Sequence, residues 1–374
     1  MLKTAFFILL IVHSLIHLFG FLQAFRLVEI AQLGQSISPV AGFWWLLASG
    51  LLLVTAGLVL MRQDIWWIFG GAALFLSQIL IFQNWSQAKF GSVINLIILI
   101  PVLISFINTW PSSLPRVYQR EVESRLEKKR TLSLLNEADI NHLPLCVQKY
   151  LHFVGAVGKP RVINFRLVLQ GEMKQKREGR WMKIKAEQYN FFDDNSRLFF
   201  LKSSLLGLPF DGFHRYVNAQ ATMEIRVASC WKIIDARGEK MDQSETVTFF
   251  NDLCLFAPAA LINYPIRWEQ IGPFKVKAKF VNQDITVTAI LEFKENGQLV
   301  NFISEDRYLT ENGKDFINFK WSTPIKEYQE VNGRKVPAYA EAIWHTPEGE
   351  FTYAQFYVEE IEYNLGKVVV VTQE

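Results

Sequence analysis

GSVINLIILIPVLISFINTWPSSLPRVYQREVESRLEKKR, residues 91–130, carries the break on which the fold turns. Through Trp110 it holds no charged side chain; from Arg116 onward charged side chains dominate. An apolar run of roughly 20 residues is what a helix needs to cross a bilayer core. Pro111 ends that run, and the sequence beyond it reads as water-soluble.

Upstream, the same reading gives three more candidate spans, Thr4–Phe25, Val40–Met61 and Ile65–Phe82, with the quoted one running from Phe90 to Phe106. Trp44, Trp45, Trp66, Trp67, Trp85 and Trp110 lie near span ends, where amphipathic rings favour the headgroup layer. The first span reaches Phe25 without a small-residue cleavage site, so it is expected to remain as an anchor. Lys3, Arg62, Arg116, Arg120 and Arg125 fall on one side of the four spans and Arg26 and Lys89 on the other. The richer side is expected to be cytoplasmic, with both termini and the soluble domain there. A re-entrant fourth span would place the soluble domain outside instead.

Polar residues inside spans are functional suspects. His13 and His17 are four apart, hence on one helix face, and Gln78 and Asn95 could join them in a polar cluster offering hydrogen bonds to a proton, a quinone or a metal. The alternative is interhelical glue. Two histidines on one helix do not make opposed axial haem ligands, and no cofactor is expected.

The 374 residues are 50% hydrophobic and 14% aromatic with a net charge of +3, too little concentrated charge for nucleic-acid binding. Cys146, Cys230 and Cys254 lack ligand or disulfide spacing and read as reduced thiols. The chain divides into a transmembrane four-helix domain at 1–110, a charged juxtamembrane linker helix at 111–140 and a soluble, mostly antiparallel β domain at 141–374. The linker has a thin apolar seam of Val117, Val122, Leu126 and Leu132, and its basic residues suit either anionic lipid or water.

In the soluble part, 142–160 reads as a short amphipathic helix closed by Gly155, Gly158 and Pro160. Strands follow at 162–174, 181–189, 197–205, 221–229, 274–280, 285–293, 298–306, 317–321, 335–344 and 351–363, with Asn-Gly turn signals at 296–297 and 332–333. Along 274–280, Phe274, Val276, Ala278 and Phe280 alternate with lysines and give one wet face. In the last strand Phe351, Tyr353, Tyr357 and Ile361 share one face and Ala354, Phe356 and Val358 the other, so both faces should be covered. One helix interrupts the meander, Gln243–Ile262, with Val247, Phe250, Cys254 and Leu261 as its apolar stripe. The expected fold is an N-terminal four-helix transmembrane bundle and a C-terminal α+β domain. Its antiparallel sheet should be curved, with that helix as a lid over the concave side.

Several blocks carry a resemblance: LPLCVQKYLHFVGAVGKPRV, LQGEMK, AEQY, DARGEKMDQSETV, NDLCLFAPAAL, SEDRY, WSTPIKEYQEVNGRKVP and IEYN. Together they resemble a family of uncharacterised bacterial multi-span membrane proteins with a C-terminal soluble domain of unknown function. VHSLIHLFGF and AKFGSVINLIIL resemble the membrane part of some members. The family implies a bacterial inner membrane and attaches no reaction. More distantly, the soluble architecture is similar to the half-barrels of lipoprotein carriers, which hold acyl chains.

The pocket candidates are Glu172, Glu187, Asp235, Arg237, Glu245, Asp306, Arg307 and Trp321, polar or aromatic groups set among apolar neighbours inside those blocks. Gly238 should supply an unusual backbone angle in a turn over 235–238. His142, His152, His214 and His345 are dispersed, so no metal site is expected, and no nucleophile, phosphate-loop or dinucleotide motif is present. No residue is assigned a catalytic role. Two readings stand. One is a binding module for an apolar or amphipathic, lipid-like ligand, with the lipid bilayer as its partner. The other is a membrane-associated enzyme using a Glu/Asp/Arg cluster in the cavity. The oligomeric state is not encoded in any pattern found.

Overall fold

The structure, a computed structural model, describes residues 2–28, 37–205 and 208–370. The chain divides into two compact units, residues 1–113 and 114–374.

In the first unit, α1 (Leu2–Ala24), α2 (Pro39–Leu60), α3 (Trp66–Gln83) and α4 (Gly91–Asn108) are, among the described residues, helices long and apolar enough to cross a membrane. Helix α2 begins with Pro39 at its first position, where a missing N–H costs nothing, and Ser38 Oγ accepts from the Ala41 N–H at 3.2 Å. Leu10, Leu52, Ala73, Ile98 and Val102 pack at the bundle centre. The outward-facing side chains include Phe75, Phe82, Phe90 and Leu96, all exposed. A bundle with large apolar groups on its outside is suited to lipid rather than water.

In the second unit, the longer helices are α5 (Leu114–Leu126), α6 (Leu145–Phe153) and α7 (Glu239–Phe256). The first wing of the sheet is built from β1 (Asn164–Met173), β2 (Met182–Phe191), β3 (Ser196–Leu205), β4 (Leu208–Val217), β5 (Gln220–Val227) and β6 (Trp231–Arg237). After α7 come β7 (Arg267–Gly272), β8 (Lys275–Asn282), β9 (Ile285–Phe293) and β10 (Leu299–Ser304). The last strands are β11 (Lys320–Ser322), β12 (Ile325–Val331), β13 (Arg334–Thr346) and β14 (Gly349–Tyr363). Their spatial order is β6-β5-β4-β3-β2-β1-β14-β13-β11-β10-β9-β8-β7, with β12 also paired to β13. Neighbouring strands in this sheet run antiparallel, and β6 and β7 do not pair, so the sheet is open.

The sheet curves around α7. Phe249 meets Phe192 and Tyr216 of the first wing, while Phe250 stacks on Phe280 at 4.8 Å and meets Phe302 of the second. One helix thus fills the concave side of both wings. On the opposite face, Leu114, Tyr118 and Val122 of α5 pack on Tyr189, Phe191, Leu198, Phe200 and Phe213. The two-residue period of strands sends Tyr189 and Phe191 to α5, and Gln188 and Asn190 to α7. Both faces carry buried apolar side chains because both are covered, the α7 face with polar groups among them.

The linker helix expected at 111–140 is a helix over Leu114–Leu126, packed on the soluble unit through its apolar side. Arg125, expected beside the bilayer, is buried and bonds Asp194 at 3.0 Å and Glu121 at 2.9 Å. The central helix starts at Glu239 rather than Gln243 and stops at Phe256, before Pro258, which begins a 3₁₀ turn to Asn263. Gly238, with φ +98°, makes the entry to that helix, whereas 235–237 complete β6 rather than a turn. Strands β4, β6, β7 and β12 had no counterpart in the sequence reading. Phe274 is exposed, while Val276, Ala278 and Phe280 are buried on the expected face.

Candidate functional site

A cavity of about 530 Å³ lies between α7 and the sheet. Leu169, Ile184, Leu201 and Met223 from the first wing face Trp344 and Phe356 from the second. Met241, Ser244, Glu245, Thr248, Asn251, Asp252 and Leu255 of α7 form its remaining wall. Their spacing of three and four places them on one helix face. That face is mainly polar, whereas Val247, Phe250 and Cys254, which do not line the cavity, are buried in the core. The helix expected as an apolar lid is thus a buried central pillar with its polar side toward the space. Phe250, expected on the apolar stripe of that lid, belongs to the packing against Phe280 and Phe302.

Strand β14 contributes from both of its nominal faces. Its register with β13 slips between Ala342 and Ile343, leaving Tyr353 as an extra residue. Such a bulge resets the alternation, so Tyr353, Phe356 and Val358 all line the cavity. The division of faces read from the sequence fails at that point.

A cluster of bonded charges lies at one part of this wall, and Lys174, Glu311 and Glu341 also line the cavity. Arg197 donates from Nε to Asp252 Oδ2 at 2.7 Å, from Nη1 to Glu245 Oε2 at 3.1 Å and from Nη2 to Gln188 Oε1 at 3.0 Å. Gln188 Nε2 in turn donates to Asp252 Oδ2 at 2.7 Å. His214 Nδ1 stands 3.6 Å from Glu245 Oε1 and Arg307 Nη2 4.0 Å from the same oxygen. Burial alone would raise the Glu245 carboxyl, but the contact with His214 and the charges of Arg197 and Arg307 outweigh it and hold the group at about 2. Burial also opposes the charge on Arg197, and Asp252 and Glu245 overcome it.

Arg307 is less completely engaged. Its guanidinium lies 4.2 Å over the Trp321 ring and 5.2 Å over Trp344, and Nη1 donates to Tyr353 Oη at 3.0 Å. Arg307 Nε and Trp321 Nε1 are buried donors with no partner. The backbone around Arg307 is pinned to the helix and the sheet. Tyr308 N donates to Ser244 Oγ at 3.0 Å, and Asp306 Oδ2 accepts from Thr288 N at 2.6 Å.

Of the sequence candidates, the structure gathers Glu245, Arg307 and Trp321 at the cavity. Glu172, Glu187, Asp235, Arg237 and Asp306 are not in its lining. Glu187 points toward α5, bonding Arg166 and accepting from Tyr118 Oη. Asp235 and Arg237 pair with each other on the edge strand β6. Arg197, Asp252, Gln188 and His214 were missed, although Arg197 and His214 share the alternating pattern of their strands.

Ser322, His345 and Glu350 are arranged in the order of a nucleophilic triad, with Ser322 Oγ 2.8 Å from His345 Nε2 and His345 Nδ1 3.4 Å from Glu350. Ser322 is buried and outside the cavity lining, so the hydroxyl has no space for a substrate.

In the first unit the four intramembrane candidates form one network. His13 Nε2 donates to Asn95 Oδ1 at 2.8 Å, and Asn95 Nδ2 donates to Gln78 Oε1 at 3.0 Å. His17 Nδ1 donates to the His13 carbonyl at 3.0 Å, which leaves Nε2 to accept from Ser77 Oγ at 2.9 Å. Helices α1, α3 and α4 are tied together by it.

A known family matches residues 133–356. The chain belongs to the family of unknown function DUF6544. The matched range contains the cavity's charged cluster and most of its walls. Among solved structures, the chain is similar to a putative outer membrane lipoprotein-sorting protein domain from Vibrio parahaemolyticus, at 11% identity over 54% of this chain and 86% of that one, TM-score 0.32. It is also similar to a DUF1329 family protein from Desulfovibrio piger, at 7% identity over 59% of this chain and 92% of that one, TM-score 0.34. No curated protein matches the chain.

Proposed function

We propose that this DUF6544 member is a membrane-anchored binding module whose cavity holds an amphipathic, lipid-like ligand. The observation that carries the reading is a space of about 530 Å³ with largely apolar walls and a bonded cluster of buried charges on one of them. Binding sites for small molecules have this size and make-up, apolar walls for affinity and a few polar groups for orientation. The enzyme alternative needs a carboxylate free to exchange a proton. Glu245 is held ionised; burial raises the Asp252 carboxyl, but its hydrogen bonds from Arg197, Gln188 and Asn190 leave it fully engaged. Those engagements favour binding.

The setting proposed is the bacterial inner membrane, crossed by the four apolar helices, with the soluble domain in the cytoplasm. Lys3, Arg62, Arg116 and Arg120 against Arg26 and Lys89 support that orientation. The hydrogen bonds from His13 to Asn95 and from Asn95 to Gln78 join three helices and support a structural role in helix association, with His13 Nδ1 left as a buried nitrogen without a partner. Mass spectrometry of lipids copurifying with the detergent-extracted chain tests the binding reading: a defined amphiphile at near-stoichiometric amount supports it, and a cavity variant such as Ile184→Trp should lose it. A periplasm-only reporter fused after Tyr363 tests the orientation and should stay silent.

A further inference from the structure

We infer that the ligand of this cavity is a single-chain amphiphile with a carboxylate head group, a long-chain fatty acid in chemical class, and that Arg307 is the residue that receives the carboxylate. The inference rests on the binding reading above and specifies its ligand. It begins from an unequal use of two arginines lining one cavity. Arg197 spends Nε, Nη1 and Nη2 on Asp252, Glu245 and Gln188. Arg307 donates from Nη1 to Tyr353 alone; its Nη2 stands 4.0 Å from Glu245, beyond hydrogen-bond reach, and its Nε is buried without a partner. A guanidinium has five N–H donors and no acceptor, and unmet donors in an apolar enclosure call for an acceptor.

A second observation points the same way. Trp321, 3% exposed and lining the cavity, has an indole N–H without an acceptor. It lies directly under the Arg307 guanidinium, whose centre is 4.2 Å from its ring. Stacking on Trp321 and Trp344 leaves the edge of the guanidinium, where its N–H bonds point, for a planar oxygen pair. That edge matches a carboxylate bidentately.

Charge and volume narrow the class. Arg197 and Arg307 face Glu245 and Asp252, and the lining adds Lys174 against Glu311 and Glu341, so a head group of one negative charge is better tolerated than a doubly charged phosphate among these carboxylates. About 530 Å³ falls in the ordinary range of small-molecule sites, which suits one acyl chain rather than a lipid of several. Ile184, Leu201 and Met223 supply an apolar wall for that chain.

The test is a competition. The full chain in detergent is equilibrated with an equimolar mixture of laurate and dodecanol, and the bound ratio is read by native mass spectrometry. Comparing variants in the same micelles cancels partition of the two probes. The wild-type ratio of laurate to dodecanol should exceed that of Arg307→Met by about tenfold or more, the scale of a charge-assisted hydrogen bond. Arg307→Lys, which keeps the charge but loses the fork, should fall between them and serves if the Met variant does not fold. Equal ratios in wild type and in both variants would overturn the carboxylate assignment while leaving the cavity as a binding site. Failure of the wild type to take up either probe would overturn the binding reading itself, and this inference with it.

Discussion

Arg197 on β3 and Asp252 on α7 meet at 2.7 Å with both side chains at 8% exposure, so the concave face of the sheet is joined to its central helix by a buried ion pair. The same guanidinium reaches Glu245 about two turns earlier on that helix. A buried pair contributes little beyond an apolar replacement of equal volume, but removing one partner strands the other. Arg197→Met is therefore expected to destabilise the soluble unit by about 3–5 kcal/mol. Urea unfolding of the full chain in detergent, followed by circular dichroism, reads it. A loss below about 1 kcal/mol would mean that the two carboxylates find water or a proton at little cost.

Acid should act through Glu245. Its carboxyl is held at about 2 instead of the ordinary 4.5, a depressed value. A group of that kind contributes stability that is fully present above its unfolded value and is lost as pH falls through the folded one. The window is thus pH 4.5 down to 2, and the contribution at stake is on the order of 3 kcal/mol. Glu245→Gln should be less stable than wild type at pH 7, and the gap should narrow across that window. A constant gap between the two proteins from pH 5 to pH 2 would remove Glu245 from the account.

Phe250 and Ile184 should separate packing from binding. Phe250 is fully buried between Phe280 and Phe302 and absent from the cavity wall. Phe250→Ala should cost about 3–5 kcal/mol. Ile184→Trp projects extra volume into an existing space and should reduce laurate uptake with a smaller change in the urea midpoint. The opposite pattern, with binding lost only in the Phe250 variant, would place the ligand elsewhere.

Within the bundle, His13 and Asn95 are hydrogen-bonded at 2.8 Å. A double-mutant cycle of His13→Leu and Asn95→Leu, read by thermal unfolding in detergent, should return a coupling of about 0.6–2 kcal/mol. Additive losses would show that the contact holds no interaction energy of its own.

Much of the architecture is legible where local chemistry and global fold agree. The stretch Lys275–Asn282 alternates without a fault, and the Asn332-Gly333 turn adopts the positive φ angles, +51° and +71°, that its residues favour. Legibility fails where tertiary contacts override the pattern. Strand β4 carries Pro209, Asp211 and Gly212, poor strand formers, yet it pairs with β3 and β5 throughout; Gly212 is accommodated against Leu201. Helix α7 is buried on every side over residues 244–256, so no apolar stripe marks its orientation. Its cavity face is polar because Arg197, from a strand some fifty residues earlier, supplies the counter-charge. Glu245 and Arg307 stood out beside aromatic or apolar neighbours; Arg197 follows the polar run Asp193-Asp194-Asn195-Ser196 and reads as a turn charge until its strand is placed. Glu187 shows the converse: the strand's two-residue period sends it to the α5 side, one position from Gln188 on the cavity side.

The pairing of β1 with β14 sets the order in which this molecule can be made. Gly171 sits opposite Phe356 so closely that a Cβ there would clash with the Gln355 carbonyl oxygen. That centre of the sheet joins residues from opposite ends of the soluble unit, a contact of high sequence separation and therefore slow to close. A chain leaving the ribosome has its apolar helices and the six strands of the first wing complete while β1 still lacks its neighbour. An unpaired inner edge of this kind invites association with other chains. Biosynthesis therefore passes through a half-sheet whose vulnerable edge is exposed until the last long strand arrives, and shielding of that edge during synthesis would govern how much of the protein reaches its native form.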